Sequence, residues 1–272
     1  MQKSRRDFIK HFSSAATLVT LGGFQSVHAA DLLGMEKDVR FRFIVASDAH
    51  FGQPKTPFEE MTDTFVQKAN VFHGAAKCDF CVLNGDIIHD DSKFMPMAKR
   101  HFDKLKMPIH VTQGNHDHLT AENWQLIWGS PVNYSFDIKG FKVILATTSD
   151  ETGTYLSPDI AWLSAELAKT KGKPTLLFIH IPQTKWTANA IETPAFFELL
   201  NKHKNVKAVF HGHEHDQDGI FKKDETPFIF DSHIGGSWGT DYKGFRVVEV
   251  LKNNSLVTYM MNPDVAQERV EL

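Results

Sequence analysis

RFRFIVASDAH, residues 40–50, carries the most information about the fold of this 272-residue chain. Its first half alternates polar and apolar side chains, and its second half is apolar, as in a strand that enters a sheet covered on both faces. Asp48 and His50 follow where this strand should end. In open α/β sheets, ligands gather beyond the carboxyl ends of the strands. The segment therefore predicts a strand that leads directly into a binding site.

Four further polar clusters each follow a predicted apolar strand. Taken alone, each has an ordinary explanation, because Gly and Asn favour turns and a single histidine is more often a satisfied core side chain than a ligand. Their joint order along the chain is what argues for a shared site. The clusters are Gly85-Asp86-Ile87-Ile88-His89, Gly114-Asn115-His116-Asp117, His180, and Gly212-His213-Glu214-His215.

Strands and helices alternate along most of the chain and give way to strands near its end. Thr56-Pro57-Phe58-Glu59 combines an N-cap, a proline at the first helical position and a capping-box glutamate, which predicts a helix from Thr56 to about Ala75. We expect an α/β fold, a two-sheet β-sandwich flanked by helices. Further strands are predicted at 79–84, 108–112, 134–138, 141–147, 175–179, 206–210 and within 227–261, and further helices at 92–105, 120–128, 157–169 and 193–203.

The N-terminus resembles a twin-arginine export signal. Residues 4–10, SRRDFIK, place the Ser, Phe and Lys at the expected positions, and a mildly apolar stretch ends in small residues near Ala29. This stretch is shorter than the ~20 residues of a membrane-spanning helix. A chance arginine pair before an amphipathic helix is the alternative. We predict a cleaved signal over residues 1–29, one domain over 30–272, passage through the twin-arginine translocase, and a soluble periplasmic protein without a stable membrane anchor.

Charge and cysteine content argue against two classes of function. The formal charge is −3, and removal of residues 1–29 would make it −6, so a nucleic-acid partner is not expected. Cys78 and Cys81 form a C-x-x-C pattern, but residues three apart on a strand have Cα atoms ~10 Å apart, beyond disulfide reach. Two buried thiols are therefore predicted.

Aspartate and histidine without thiolates indicate a divalent metal centre. Such donors suit Mn, Fe, Zn or Co, whereas imidazoles disfavour Ca and Mg. Residues two apart on an extended segment share a face, so Asp48 should point the same way as His50, and His213 the same way as His215. Asp86 follows a glycine that allows close backbone approach, which makes this carboxylate the candidate bridge between two ions.

The series D-x-H, G-D-x-x, G-N-H-[D/E], H and G-H-x-H resembles that of the calcineurin-like metallophosphoesterase superfamily, from about residue 40 to 259. The resemblance implies two metal ions, with a hydroxide between them attacking phosphorus. It also implies that His116 stabilises the transition state or protonates the leaving oxygen, with His89 as the residue that orients it. The implied ligand sets are Asp48, His50, Asp86 and His215 for one ion, and Asp86, Asn115, His180 and His213 for the other.

Departures from individual subgroups of the superfamily narrow the expected activity. The protein Ser/Thr phosphatases carry G-D-x-x-D-R-G, whereas here His89 is followed by two aspartates and no arginine. The tyrosine of purple acid phosphatases is likewise replaced by His89. Only 57 residues follow His215, too few for the second domain of exported 5′-nucleotidases. What remains resembles compact single-domain members, including class III cyclic nucleotide phosphodiesterases.

We therefore predict an exported metal-dependent phosphoric ester hydrolase with a small phosphate-ester substrate. A cyclic nucleotide phosphodiesterase is the alternative within the class, and a non-catalytic exported metal- or partner-binding protein is the alternative outside it. Intact Asn115 and His116 argue against the second, because metal storage does not require His116. Asp150, His233 and the stretch 235–238 are candidates for the pocket wall, with ordinary loop roles as the alternative.

The export signal yields the first prediction. Replacing both Arg5 and Arg6 by Lys should leave the protein in the cytoplasm with its signal uncleaved, because the translocase recognises the arginine pair. Cell fractionation followed by mass measurement checks this. Lys3→Ala, which removes a positive charge outside the pattern, should be exported normally. Normal export of the double-lysine variant would remove the twin-arginine interpretation.

Overall fold

The computed structural model describes residues 35–262, together with the backbone of segments 16–20 and 23–27. Two sheets face each other, and the predicted strand at residues 40–47 lies inside the larger one. Three strands at one end of that sheet are parallel, and the remaining strands extend it in antiparallel pairing on the other side. Its spatial order is β2 (Gly23–Val27), β1 (Ala16–Thr20), β13 (Leu256–Met261), β12 (Phe245–Leu251), β3 (Val39–Ala46), β4 (Phe80–Asn84) and β5 (Ile109–Thr112).

The second sheet has a parallel centre with one antiparallel strand at each edge. Its order is β10 (Ile220–Lys223), β11 (Thr226–Phe230), β9 (Val206–His211), β8 (Thr175–Phe178), β7 (Phe141–Leu145) and β6 (Tyr134–Ile138). Parallel strands place their carboxyl ends at one edge of a sheet, so the loops that follow β3, β4, β5, β8 and β9 can converge.

Aromatic side chains fill the space between the sheets. The ring of Phe43 stacks on Phe80 with centroids 4.8 Å apart, and it meets Phe178 and Phe210 of the second sheet edge-on at 5.9 and 5.7 Å. All four side chains are buried. The alternation in residues 40–45 therefore has a physical cause, because every second side chain of β3 enters this inter-sheet core.

Helices cover the outer face of each sheet. The first sheet packs against three of them, and the second sheet packs against two. This arrangement confirms the predicted α/β fold, a two-sheet sandwich flanked by helices. The helices are α1 (Phe58–Ala75), α2 (Met95–Phe102), α3 (Ala121–Trp128), α4 (Ile160–Lys169) and α5 (Pro194–Lys202), with short 3-10 helices at Glu36–Asp38 and Ser92–Phe94.

The predicted start of α1 was wrong in its details. The helix begins at Phe58, and the hydroxyl of Thr56 donates to the carbonyl of Gln53 rather than capping the helix. The edge strand Ile220–Lys223 was missed, because it is short, only half-buried and ends in two lysines. Strands at such an edge lack the apolar run that reveals the central ones.

Cys78 and Cys81 are buried and unbridged, as the strand geometry predicted. Burial raises the pKa of the Cys78 thiol to about 12, so this thiol stays protonated at neutral pH.

The predicted export signal lies largely outside the described residues, including its arginine pair. Segments 16–20 and 23–27 form an antiparallel hairpin that extends the first sheet at β13. Because both segments fall within residues 1–29, removal of the signal would leave β13 as the edge strand. Cleavage of the signal stays a prediction. Among the described residues, none of the helices has the length and apolar character needed to cross a membrane.

Packing between loops yields a prediction about glycine. A Cβ at Gly114 would lie 2.3 Å from both the backbone nitrogen and Oδ1 of Asp86, so Gly114→Ala must displace that loop. Overpacking of this kind costs about 1–3 kcal/mol in free energy of unfolding. At exposed Gly74 in α1 a Cβ meets no atom within 4 Å, so Gly74→Ala should stabilise by about 0.5–1 kcal/mol. Urea unfolding of both variants and of the wild type checks this. A variant whose free energy of unfolding equals that of the wild type would contradict the prediction for that glycine.

Candidate metal centre

The loops after five parallel strands bring the candidate ligands together at the edge where the carboxyl ends of both sheets meet. Asp48 and His50 follow β3, Asp86 follows β4 and Asn115 follows β5, while the ligands from the second sheet follow β8 and β9. Six of the seven candidates are buried. Donor atoms of six of the seven form two groups, each within 4.8 Å: Asp48, His50 and His215, and Asp86, His180 and His213. A third such group joins His50 to His89 and His116.

Two carboxylates connect these groups. Oδ2 of Asp86 lies 3.2 Å from Nε2 of His180 in its own group and 3.8 Å from Nε2 of His50 in the other. Oδ1 of Asp48 lies 3.2 Å from Nε2 of His215 and 3.9 Å from Nε2 of His180. The two groups therefore lie close enough to share a carboxylate, and Asp86 and Asp48 are both placed to be shared.

The backbone that presents the ligands is left-handed rather than extended. Asp48, His50, Asp86 and His213 have φ values of 57°, 44°, 51° and 72°. The predicted extended backbone of the D-x-H segment was therefore wrong, although the side chains of Asp48 and His50 do lie in one donor group. Positive φ costs free energy for residues with a Cβ, and such residues cluster at functional sites where the surroundings hold them.

Backbone carbonyls orient two of the histidines. Nδ1 of His180 lies 2.6 Å from the carbonyl oxygen of Asn84, and Nδ1 of His215 lies 3.1 Å from that of Trp238. In a neutral ring, an Nδ1–H that donates to a carbonyl leaves Nε2 free to bind a cation, which is the arrangement that metal-binding histidines use. Both Nε2 atoms face the carboxylates at the centre.

Several buried polar atoms at the centre lack a hydrogen bond within the described structure. A buried acceptor without a partner is costly, and coordination to a cation is one way to satisfy it. Oxygen and imidazole donors without sulfur are the set that suits Mn, Fe, Zn or Co. The residues therefore fit divalent metal ions. The atoms concerned are Oδ1 of Asn115 and Nε2 of His213, together with Oδ1 of Asp48 and Nε2 of His180, whose nearest polar neighbours are the ion-pair partners at 3.2 Å.

The negative charges of the buried carboxylates and the positive charge of a protonated histidine stabilise each other at the centre. Burial alone would lower the pKa of His180, but the carboxylates of Asp86 and Asp48 raise it to about 10. Burial opposes ionisation of Asp86 too, yet His180 holds its pKa well below the usual range. A cation at Nε2 of His180 would replace that proton, so metal binding should release it.

His116 lies beside the centre, and its orienting partner differs from the predicted one. Nδ1 of His116 lies 2.6 Å from Oδ1 of Asp90. His89 instead stacks on His116, with ring centroids 5.0 Å apart, and its Nδ1 lies 3.0 Å from Nδ1 of His50. Burial lowers the pKa of His116, but Asp86 and Asp90 together raise it above the ordinary value. His116 is thus held ready to carry a proton.

Asp117 joins two of the loops and was not singled out from the sequence. Its Oδ1 accepts from the backbone of Ile88 and its Oδ2 from that of Gly114, at 3.0 and 2.9 Å. Burial, with the nearby Asp86 carboxylate, raises the pKa of Asp117 to about 7. Its place at the end of G-N-H-D was the available signal, because a carboxylate there can accept from the turn's own amides.

The chain belongs to the calcineurin-like phosphoesterase family, whose model matches residues 41–217. It is 28% identical over 216 residues to a probable cyclic nucleotide phosphodiesterase of Fibrobacter succinogenes, covering 72% of this chain and 80% of that one. It is also 28% identical over 273 residues to the serine/threonine-protein phosphatase CPPED1 of Danio rerio, covering 88% and 84%.

Solved structures share the fold. A dimetal phosphatase from Danio rerio superposes with a TM-score of 0.64 at 14% identity, covering 83% of this chain and 97% of that one. GAP50, described as the anchor in the inner membrane complex of Plasmodium, has a TM-score of 0.61 at 16% identity, covering 85% and 87%. Family membership and the phosphodiesterase and phosphatase relatives make this protein a metal-dependent phosphoric ester hydrolase.

The shared carboxylate yields a prediction about metal content. Asp86→Ala should lower the Mn content more than His180→Ala, because it removes a charge next to both donor groups while His180→Ala should mainly empty one. Elemental analysis of protein reconstituted with Mn checks this. His211→Phe is the matched control, because His211 is buried between the rings of Phe228 and Phe230.

Two outcomes would contradict that assignment. If the Asp86 variant retains as much metal as the control, Asp86 is not a bridge. If Asp48→Ala loses all metal and Asp86→Ala only half, the bridging role belongs to Asp48, whose Oδ1 also faces both groups.

Proposed function

We propose that this protein is an exported phosphoesterase with two divalent metal ions that hydrolyses small phosphate esters. The observation that carries the proposal is the pair of adjacent donor groups, linked by the carboxylates of Asp86 and Asp48. Two ions so held would lie close together, as two-metal phosphoesterases require. Mn, Fe, Zn and Co remain the metals that suit the donors.

The residues of the centre have different roles in the proposed reaction. When bound, two such ions would supply a hydroxide nucleophile and would absorb the charge that develops on the phosphoryl oxygens. His50, Asp86, His180 and the other ligands would hold them, and Asn115 would add a neutral oxygen donor. His116 donates a proton to the leaving oxygen from Nε2, because Asp90 occupies its Nδ1. The carboxylates of Asp86 and Asp90 raise the pKa of His116, which favours its protonated form.

A second candidate within the class is a cyclic nucleotide phosphodiesterase. The relative from Fibrobacter succinogenes bears that name and matches most of this chain. A non-catalytic role is less well supported. GAP50, which is described as an anchor, shares only the fold with this chain. The Asp90–His116 pair has a use in proton transfer, which metal storage alone would not require.

Export to the periplasm is part of the proposal. Its support is the SRRDFIK pattern at residues 4–10 and the apolar stretch that follows. Proteins that use the twin-arginine route cross the membrane already folded, which suits an enzyme that acquires its metal before export. The translocase would then be a partner only during export, and a small phosphate ester would be the substrate.

The proposed function is tested by separating proton donation from metal binding. Wild-type protein reconstituted with Mn should hydrolyse both an alkyl phosphate and its p-nitrophenyl counterpart. His116→Asn should slow the alkyl ester about 10²–10⁴-fold, because an alkoxide needs a proton to leave, and slow the nitrophenyl ester much less. Asp90→Asn should show the same pattern to a smaller extent. Metal content should be unchanged in both variants.

Lys93→Ala serves as the control, because it removes an exposed charge that pairs with Asp91 outside the centre. Equal losses on the two esters would assign His116 to charge stabilisation rather than proton donation. Absence of turnover of any monoester or diester by metal-loaded wild type would contradict the proposed function itself.

A further inference from the structure

Two exposed aromatic side chains stand directly beside the candidate ligands. Among the described residues, five large apolar side chains are exposed, and two of them, Tyr155 at 39% and Trp238 at 43%, contact histidines of the centre. An exposed indole loses the free energy that burial would provide, so its position next to a polar centre calls for an explanation.

Trp238 lies at the His50–His215 side of the centre. Its ring is parallel to that of His215, with centroids 4.3 Å apart and an interplanar angle of 9°. It also lies 4.8 Å from His50 and 6.2 Å from His89. The indole thus borders the ligands of one donor group and the residue that stacks on His116.

The loop that carries Trp238 is fixed against the centre. The backbone of Gly235 donates to the carbonyl of Asp48 at 3.0 Å, and a Cβ on Gly235 would lie 1.9 Å from the carbonyl oxygen of Ala49. The Trp238 carbonyl accepts from Nδ1 of His215, and Ser237 bonds to Gln53. The indole is therefore positioned before any ligand arrives, which lowers the entropy cost of stacking on it.

Tyr155 lies at the other donor group. Its ring meets His213 edge-on with centroids 4.9 Å apart, and the backbone at Tyr155 bridges to Ser149. The neighbouring Leu156 is 40% exposed and its backbone donates to Thr148 at 2.8 Å. An apolar surface thus borders the centre at each of its two donor groups.

We propose that Trp238 is the platform on which the base of a nucleotide substrate stacks while its phosphate occupies the metal centre, with Tyr155 contacting the other side of the substrate. The proposal rests on the proposed function. A nucleotide suits the geometry because one sugar separates its planar base from phosphorus, which matches an indole that borders the ligand histidines. Stacking on an aromatic face accepts any base, because every base has a π-face.

The test compares substrates that differ only in the base. Trp238→Ala should lower kcat/KM for AMP about tenfold, mainly through KM, and change that for ribose 5-phosphate less than about twofold. If the wild type cleaves only diesters, cyclic AMP and the methyl riboside cyclic phosphate take their places. Trp238→Phe should restore most of the loss. Leu126→Ala, at an 81%-exposed residue of α3, is the control and should change neither value.

Calorimetry gives a readout that does not need turnover. AMP should bind Mn-loaded wild type more tightly than ribose 5-phosphate does, and Trp238→Ala should remove about tenfold of that difference while leaving metal content unchanged. If no ester is turned over but this binding difference appears, the proposed function fails and the base platform stands.

Three results would overturn the inference. Equal losses on both substrates, or a loss of metal, would make Trp238 a residue that positions His215. Equal affinity of the wild type for AMP and ribose 5-phosphate would show that the base is not recognised. A Trp238 effect seen with a phosphotyrosine peptide but not with AMP would assign the platform to aryl phosphates instead of nucleotides.

Discussion

Two buried carboxylates impose the main constraint on this structure. Asp48 and Asp86 are 0% and 2% exposed, and ionised groups removed from water are unfavourable unless positive charge accompanies them. These carboxylates raise the pKa of the neighbouring His180 to about 10, so they favour a positive charge on that ring. Divalent cations would supply more charge and satisfy atoms that hydrogen bonds leave unpaired. Unrelated polar turns therefore do not explain why these donor residues lie together.

The sandwich makes this concentration of ligands feasible. Phe43 and its aromatic neighbours fix the separation of the sheets, so the ends of strands from both can approach one another. Hydrogen bonds then join the loops, with Asp117 holding the β4 loop to the β5 loop and Asp48 accepting from the backbone of His213 at 2.9 Å. Several ligands thus depend on contacts to a loop from another strand. A rigid core supports a centre whose parts are far apart in sequence.

Sequence patterns predicted the fold class, and the residues they selected as candidate ligands lie together in the structure, because strand ends and polar clusters are both local signals. They did not predict the left-handed backbone at Asp48 and His50, since an extended strand and a turn can both follow an apolar run. They also chose His89 over Asp90 as the partner of His116. That choice depends on which way the loop turns after Asp86, and this turn is set by contacts with residues distant in sequence. Trp238 was placed only among loop candidates, because its neighbours come from β3 and β9.

The most direct test of this account is the spectrum of bound Mn. Protein loaded with about two Mn²⁺ per chain should give an electron paramagnetic resonance spectrum of an exchange-coupled pair, as expected for ions ~3.5–4 Å apart. The coupled signal should be absent from Asp86→Ala. A spectrum of isolated Mn²⁺ at every loading of the wild type would show that the donor groups do not form a two-metal centre.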